Sequence, residues 1–535
     1  FGSSPRAAQA AAPTKRGATP PPQMAAAPEV GPRLEAREVQ GLVNAASALF
    51  RLEEDAVKGR YLVATQALKA GDVVLRESPL FVGRPSGSQS QQVYEAEFLA
   101  ISVSAGDNVG EEDCMHPLSP LVDCVAGVLL AKRRALQGEA DANQARAKLR
   151  IRQLFSCCRA DPSVAQGVPK ECAKDLLAVL RPEFRELTSE AELNDLVSIL
   201  ACNRFGGGGQ MEMMYSASMF EHSCLPNCFV QVEGWVTSYK EQPKDAPVTK
   251  VYRALRDVAV GEALSLDYLQ LPESYFPTEV RAKLLKRWGF SCTCPRCTTL
   301  PEISSAYECP ACGAPELCPR RPRSSELVCR TCGEAAGEAY AARCLAVEAQ
   351  ANGEDQLAEA PQDGVNVLSC FHYESFNVAW EYAAGDNEDV DDDAIFAAAE
   401  TLVASVLRLY GDGRHPLLLD LYLLLARLSE DHLEDQQRYL ELEDKVMKRL
   451  YPDQHDRQEF EVQRLLHGPE YKPPSAEDDA PAAEFGEPKA GAVDVKPPTA
   501  DKDTPAAEFG EPKAGAVDVK PPTADKDTPA AEFGE

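Results

Sequence analysis

Long apolar runs are missing from this 535-residue sequence. No stretch of about 18 consecutive apolar residues occurs, which excludes a membrane-spanning helix. Basic charge is also in short supply: Lys and Arg number 55 against 84 Asp and Glu, a formal net charge of −29. A field of that sign repels a phosphate backbone, so direct nucleic-acid binding is disfavoured and basic peptides are favoured partners. No secretory signal is read, and the chain is too large for a small disulfide scaffold. Its 18 cysteines, several in C-x-x-C pairs, therefore point to zinc-bound thiolates in a reducing compartment, cytoplasm or nucleus. Gly206 to Gly209 lack the G-x-x-x-x-G-K-[ST] frame of a phosphate cradle and read as a loop. Asp386 to Asp393 lack the Gly and terminal Glu of an EF-hand and read as a solvated acidic loop.

At 44% apolar content the chain can bury more than one core, and its length suggests about three domains at ~150 residues each. Residues 1–28 are rich in Ala and Pro, carry Arg6, Lys15 and Arg16, and contain no acid, a composition that suits a disordered tail or a plastid or mitochondrial transit peptide. Met24 is a candidate native start. A helical stripe runs through Val39, Leu42, Val43, Ala46, Leu49 and Phe50. Two β-rich runs, Arg60 to Thr65 and Val73 to Arg76, flank a turn at Lys69-Ala70-Gly71-Asp72 and predict a hairpin. From about 86 to 200 the pattern is helical, for example Leu176, Leu177, Val179 and Leu180, then Leu193, Leu196, Val197 and Leu200.

Three later segments carry the chemistry: Glu221-His222-Ser223-Cys224-Leu225-Pro226-Asn227, Gly261-Glu262-Ala263-Leu264-Ser265-Leu266-Asp267-Tyr268, and Cys292-Thr293-Cys294-Pro295-Arg296-Cys297. In that order they resemble the N-H-S-C-x-P-N, G-E-E-L-x-x-x-Y and post-SET C-x-C-x-x-C segments of SET-domain lysine methyltransferases. Upstream, Gly59-Arg60-Tyr61-Leu62-Val63-Ala64 looks like the opening of a SET domain, and Cys202-Asn203-Arg204-Phe205 and Met214 to Phe220 resemble segments of the SET-and-MYND family. The MYND zinc module of that family is expected to be absent. Cys114, His116, Cys124, Cys157, Cys158 and Cys172 show no C-x-x-C spacing and read as buried small hydrophobes.

The resemblance implies transfer of a methyl group from S-adenosylmethionine to a lysine of a protein or peptide substrate. The lysine must lose a proton from a group of pKa ~10.4, which an apolar channel promotes by disfavouring the ammonium. By motif position Tyr268 is the catalytic hydroxyl, and Trp288 and Phe290 line the channel or the adenine pocket. Donor binding falls to Gly59, Arg60, Tyr61, Asn203, Glu221, His222 and Phe290. Two of these depart from the family pattern, which has Gly where Tyr61 stands and Asn where Glu221 stands. A backbone that approaches a cofactor tolerates Gly best, and a carboxylate accepts hydrogen bonds but repels the donor's own carboxylate. A catalytically inactive zinc-binding interaction scaffold is the alternative. A Rubisco methyltransferase-type SET enzyme is the nearest enzymatic rival, but that group lacks the post-SET cysteines.

Two zinc ions are expected. The resemblance assigns Cys224, Cys292, Cys294 and Cys297 to one, which would pin the segment carrying Trp288 and Phe290 against the SET core. Cys228 reads as buried and free. The second set comes from spacing alone: Cys309-x-x-Cys312-Gly313, 16 residues, then Cys329-x-x-Cys332-Gly333, a zinc-ribbon pattern with a glycine under each knuckle. Cys318 and the cluster Arg320, Arg321 and Arg323 lie between the pairs, and the acidic whole favours a structural or protein-docking ribbon.

Helical spacing returns in Ile395 to Tyr410 after a cap at Asp393, in Leu417 to Leu428, and in Leu440 to Leu450. The link Leu409 to Leu417 resembles that between paired helices in the tetratricopeptide-like region of SET-and-MYND proteins, and such pairs offer a face to a protein partner. The chain ends in a 24-residue repeat, Pro481 to Thr504, copied at Pro505 to Thr528 and begun again at Pro529, too polar to bury a core and read as disordered. The expected architecture is α+β: 1–35, a disordered or targeting start; 36–85, a helix and the first part of a SET β-fold; 86–200, a helical insert; 201–270, the second part of SET; 271–300, post-SET; 301–335, a zinc ribbon; 336–468, tetratricopeptide-like helices; 469–535, the repeat tail.

Overall fold

The computed structural model describes residues 33–55, 59–100, 116, 119–137, 140–157, 171–207, 210–233, 249–351, 367–384, 390–411, 413–430 and 432–453. The candidate targeting segment 1–28, Cys114, Cys158, Asp386 to Asp389 and the repeats from Pro481 lie outside the described residues.

Helix α1 (Ala36–Ala46) opens with a reciprocal box in which the Glu38 carboxylate accepts the Glu35 N–H at 2.9 Å. It buries Val39 and Val43. The expected continuation through Leu49 and Phe50 is corrected. Ser47 is extended, and the period switches from 3.6 to 2 at strand β1 (Phe50–Asp55), where Phe50 and Leu52 point inward and Arg51 outward. A second correction follows. Strand β2 (Gly59–Ala64) pairs antiparallel with β1, while β3 (Val73–Glu77) pairs with β9 (Lys250–Ala254), so β2 and β3 do not form the expected hairpin. Strand β9 is the centre of a sheet ordered β3-β9-β8, with β8 at Cys228–Val232. A second sheet is ordered β4-β6-β5, from Phe81–Gly83 (β4), Arg204–Gly207 (β5) and Gln210–Met213 (β6).

Between β4 and β5 the chain is helical, as the apolar spacing predicts. Its longer helices are α2 (Pro120–Gln137), α3 (Ala142–Phe155), α4 (Cys172–Val179) and α5 (Glu190–Asn203). Asp141 and Ser189 cap α3 and α5, accepting N–H bonds at 2.7 and 3.2 Å. Asp123, fully buried in α2, collects the N–H groups of Arg84, Gln89 and Ser90 at 2.8–2.9 Å and so satisfies the backbone that leaves β4. Cys124, Cys157 and Cys172 are buried in this core, in keeping with their reading as small hydrophobes.

Beyond these sheets lie α6 (Thr278–Leu285), the strands β11 (Leu317–Pro319) and β12 (Leu327–Cys329), and the helices α7 (Glu338–Ala351), α8 (Tyr373–Ala384), α9 (Asp392–Tyr410), α10 (Leu417–Leu428) and α11 (Leu433–Leu450). The cap of α9 is Asp391, which accepts from Ala394 N at 2.7 Å, two residues before the expected Asp393. Helices α8 to α11 pack each on the next. Their shared core includes Phe229, Leu255 and Tyr275 from the other half of the molecule, with Tyr275 stacked on Phe376 at 4.1 Å between centroids. At one corner Arg253, buried in β9, pairs with Asp453 at 2.7 Å and donates to the Gly71 carbonyl at 2.9 Å.

Gly71 is required at that corner on two counts. Its φ is +90°, and a Cβ there would stand 2.4 Å from the Arg449 carbonyl oxygen at the end of α11. Gly261 shares the left-handed backbone, φ +82°, but nothing lies within 4 Å of its absent Cβ. Gly261→Ala is therefore expected to cost only the left-handed penalty of about 1–2 kcal/mol. Gly71→Ala should add an overpacking cost of about 1–3 kcal/mol. Denaturant unfolding of the two variants checks the difference, and equal losses would contradict the docking contact.

Candidate active site and metal centres

Three distant segments meet side by side. Strand β10 (Ser265–Leu266) runs parallel to β7 (Glu221–His222), and just before β10 the Leu264 N–H bonds the Leu62 carbonyl of β2 at 2.8 Å. Asn227, 1% exposed, clasps the join. Its Nδ2 donates to Ala263 O at 2.8 Å and to Glu262 at 3.1 Å, while its Oδ1 accepts from Ser265 N at 2.8 Å. This gives the terminal Asn of the N-H-S-C-x-P-N segment a physical role: it satisfies buried backbone where the segment crosses its neighbour.

The clasp delivers Tyr268 to a cage of rings. Its centroid lies 5.2 Å from His222, 5.5 Å from Trp288 and 6.2 Å from Phe290, the last edge to face. Its hydroxyl donates to the Phe220 carbonyl at 2.5 Å, and its N–H donates to His222 Nδ1 at 3.2 Å. With Nδ1 accepting, the His222 proton sits on Nε2, which faces Cys224 Sγ at 3.3 Å. Burial pushes the pKa of His222 down to about 4, so the ring is neutral. Phe220 is itself held by the short turn Ala217–Met219. Glu77 secures that turn, its carboxylate accepting from the N–H groups of Tyr215, Ser216 and Ala217 at 3.3, 2.8 and 2.9 Å. The sequence singled out neither Glu77 nor Asn227 as a support.

Asn203 is buried at the end of α5, which packs against the Lys286–Trp288 turn, and its Nδ2 donates to Ile199 O at 2.7 Å. Glu221 is half-buried on β7. Gly59, Arg60 and Tyr61 open strand β2. Arg60 Nη2 bonds the Ser156 carbonyl at 2.6 Å, and the Tyr61 hydroxyl lies 3.4 Å from Glu53, its cross-strand partner. A cleft of about 710 Å³ between α1, β1, β2 and the end of α3 is lined by Arg37, Leu52, Glu54, Arg60 and Phe155 among others, and of the predicted donor set it includes Arg60 alone.

The eight predicted cysteines form two clusters, each with all four sulfurs within 4.8 Å of one another. Tetrahedral Zn–S bonds of about 2.3 Å require S···S edges of about 3.8 Å. Cys224 lies 3.9 Å from Cys292 and 3.5 Å from Cys297; Cys309–Cys332 and Cys312–Cys329 span 3.8 and 3.7 Å. Both sets therefore fit zinc in size and donor type. Gly313 and Gly333 take positive φ and return N–H bonds to the Cys309 and Cys329 carbonyls at 2.8 and 2.9 Å, the knuckle turn their positions predict. Cys228 is buried and free, and Cys318 is buried in β11 outside the cluster. Packed against the first cluster are buried groups that the sequence did not mark, Arg281, Arg296 and Glu302.

Residues 59–269 match the SET domain family. The chain is 26% identical over 296 residues to the histone-lysine N-methyltransferase ASHR2 of Arabidopsis thaliana, a match covering 46% of this chain and 72% of that protein. It is 29% identical over 114 residues to a SET and MYND domain-containing protein of Dictyostelium discoideum, covering 20% of this chain and 24% of that one. Among solved structures, the SET domain of LSMT bound to lysine and AdoHcy overlaps 81% of this chain and 94% of its own at 13% identity and a TM-score of 0.29. Rubisco LSMT bound to AdoMet overlaps 79% and 90% at 12% identity and a TM-score of 0.26. Neither overlap is close enough to assign a residue.

The two clusters predict two zinc ions per chain, measurable by elemental analysis of the purified protein. Clearly fewer than two, with the same thiols recovered as disulfides, would contradict the assignment.

Proposed function

We propose that this chain, whose residues 59–269 form a SET domain, methylates lysine side chains of protein substrates with S-adenosylmethionine as donor. The observation that carries the proposal is Tyr268, its hydroxyl anchored on the Phe220 carbonyl inside the cage of His222, Trp288 and Phe290. S-adenosylmethionine, when bound, supplies a methyl group made electrophilic by its sulfonium. The remainder of the task falls to the protein. Aromatic walls exclude water and lower the lysine's pKa, and the Tyr268 oxygen and nearby carbonyls fix the direction of the amine lone pair. Gly59, Arg60, Tyr61, Asn203, Glu221, His222 and Phe290 would hold the donor. One feature fits directly: Gly59 has φ +74° and open space where a Cβ would stand, so a ligand can approach the backbone at the start of β2.

The net charge of −29 favours substrates whose lysine lies in a basic context. Helices α7 to α11 offer the surface for a protein partner. The inactive-scaffold reading rests on Tyr61 and Glu221, and calorimetric titration with S-adenosylmethionine separates it from the enzyme: no binding would favour the scaffold.

Tyr268→Phe should lower the single-turnover methylation rate about 100-fold, the order seen when one preorganised hydrogen-bonding group is removed from an active site. Zinc content and donor binding should be unchanged, and an undiminished rate would move the catalytic role elsewhere. Glu221→Asn should tighten S-adenosylmethionine binding or leave it unchanged, with any gain on the order of 1 kcal/mol. A comparable weakening would show instead that the Glu221 carboxylate holds the donor's ammonium.

A further inference from the structure

We infer that Arg281 is a positioning residue of the first metal centre, completing its charge balance and tying it through Glu302 to the C-terminal half of the chain. The inference rests on reading Cys224, Cys292, Cys294 and Cys297 as zinc ligands, and not on the methyltransferase activity.

Arg281 projects from α6 with none of its side chain exposed, and its Nη2 lies 3.4 Å from Cys297 Sγ. A guanidinium does not shed its proton, so a buried one must be balanced by anions. One is Glu302, also buried, at 3.5 Å. The other is the thiolate set. Four thiolates around a divalent cation carry two negative charges in excess, and a donor on one sulfur disperses part of that charge where water cannot. The guanidinium is held in place by the Phe276 carbonyl and by Thr278 Oγ1 at 2.9 Å.

Glu302 is fixed just as closely. It accepts from Thr278 N and Ser304 Oγ, both at 2.8 Å. Burial alone would raise its carboxyl, but Arg281 and Arg296 bring it below the ordinary carboxylate range. Arg296, 1% exposed, lies inside the C-x-C-x-x-C segment and donates to the carbonyls of Ser274 and Tyr275. One residue past Glu302, the Ile303 carbonyl accepts from Arg408 of α9 at 2.8 Å, and Arg408 pairs with Glu316 of the ribbon at 2.8 Å. Thiolates, Arg281, Glu302 and Arg296 thus alternate in sign, and the segment that carries Glu302 is bolted to the helices.

The test is zinc retention in the full-length protein. In a Cys332→Ser background, which removes an exposed ribbon ligand, the remaining zinc reports the first centre; transfer to a chromogenic chelator gives its affinity. Arg281→Gln should weaken retention about 10- to 100-fold, the usual effect of losing an outer-shell partner. Arg281→Lys, which keeps the charge, should recover part of the loss. In the native background the ribbon zinc should be unaffected. If Arg281→Gln does not fold, Glu302→Gln should weaken the same centre in the same direction by a smaller factor. A folded Arg281→Gln or Glu302→Gln that keeps first-centre zinc as tightly as the parent, or a loss shared equally by both centres, overturns the inference. A parent protein with no zinc at the first centre overturns the ligand reading as well.

Discussion

Cys224 and Cys297 are 73 residues apart in the chain and 3.5 Å apart in space, and the candidate site depends on that closure. Bringing such distant thiols together has an entropic cost of several kcal/mol for the loop, and four thiolates without a cation repel one another. A zinc ion held by the four sulfurs would supply compensating free energy, on the order of 10–16 kcal/mol for structural thiolate sites at neutral pH. Trp288 and Phe290 precede Cys292 directly and pack with Tyr268, Leu269 and Leu285 around the sulfurs. With the staple closed these rings form two walls of the cage.

The staple in turn leans on the other half of the molecule. Arg296 sits between two ligands of the cluster yet spends its donors on Ser274, Tyr275 and Ser304, and Tyr275 stacks on Phe376 of α8. The C-terminal helices are therefore part of the site's foundation as well as a surface. Buried ion pairs of this kind add little net stability, since desolvation offsets their attraction, but removing one partner leaves an uncompensated charge and is costly. Their effect is to fix one arrangement of the two cysteine clusters and the C-terminal helices.

The legible part of this architecture was the part written in local spacing. Paired cysteines and helical stripes declare themselves over a few residues, so the second sulfur cluster and the helices α9, α10 and α11 could be placed from local spacing, whereas Cys224, 68 residues before Cys292, joined the first cluster only through the family resemblance. The pairing of β2 with β1 was hidden because Leu49 and Phe50 continue the phase of α1, and only the extended Ser47 breaks it. The pairing of β3 with β9 is non-local, and nothing in Val73 to Glu77 names its partner. Arg281, Glu302 and Glu77, and the clasping role of Asn227, were invisible for a related reason. Each acts through backbone or charge brought from elsewhere, and a single polar residue on an amphipathic stretch carries no period. The one available signal was that Thr278, Arg281 and Leu285 share a helix face, which the structure buries.

Hydrogen-bond accounting at Tyr268 limits what its hydroxyl can do under the proposed activity. A phenol has one O–H to donate and two lone pairs to offer. Here the O–H is committed to the Phe220 carbonyl, an acceptor that Glu77 holds in place through the preceding turn. Only acceptor capacity remains to face a substrate amine. Acting as a base would require Tyr268 first to lose the proton it donates to the Phe220 carbonyl, and with it that hydrogen bond. The geometry therefore suits an oxygen that receives an amine N–H and orients the lone pair. The amine must reach it already neutral, so deprotonation belongs to the entry of lysine into the apolar channel and the alignment step to Tyr268. Catalysis on this reading is positional, and it draws on the same stapled framework that the four sulfurs close.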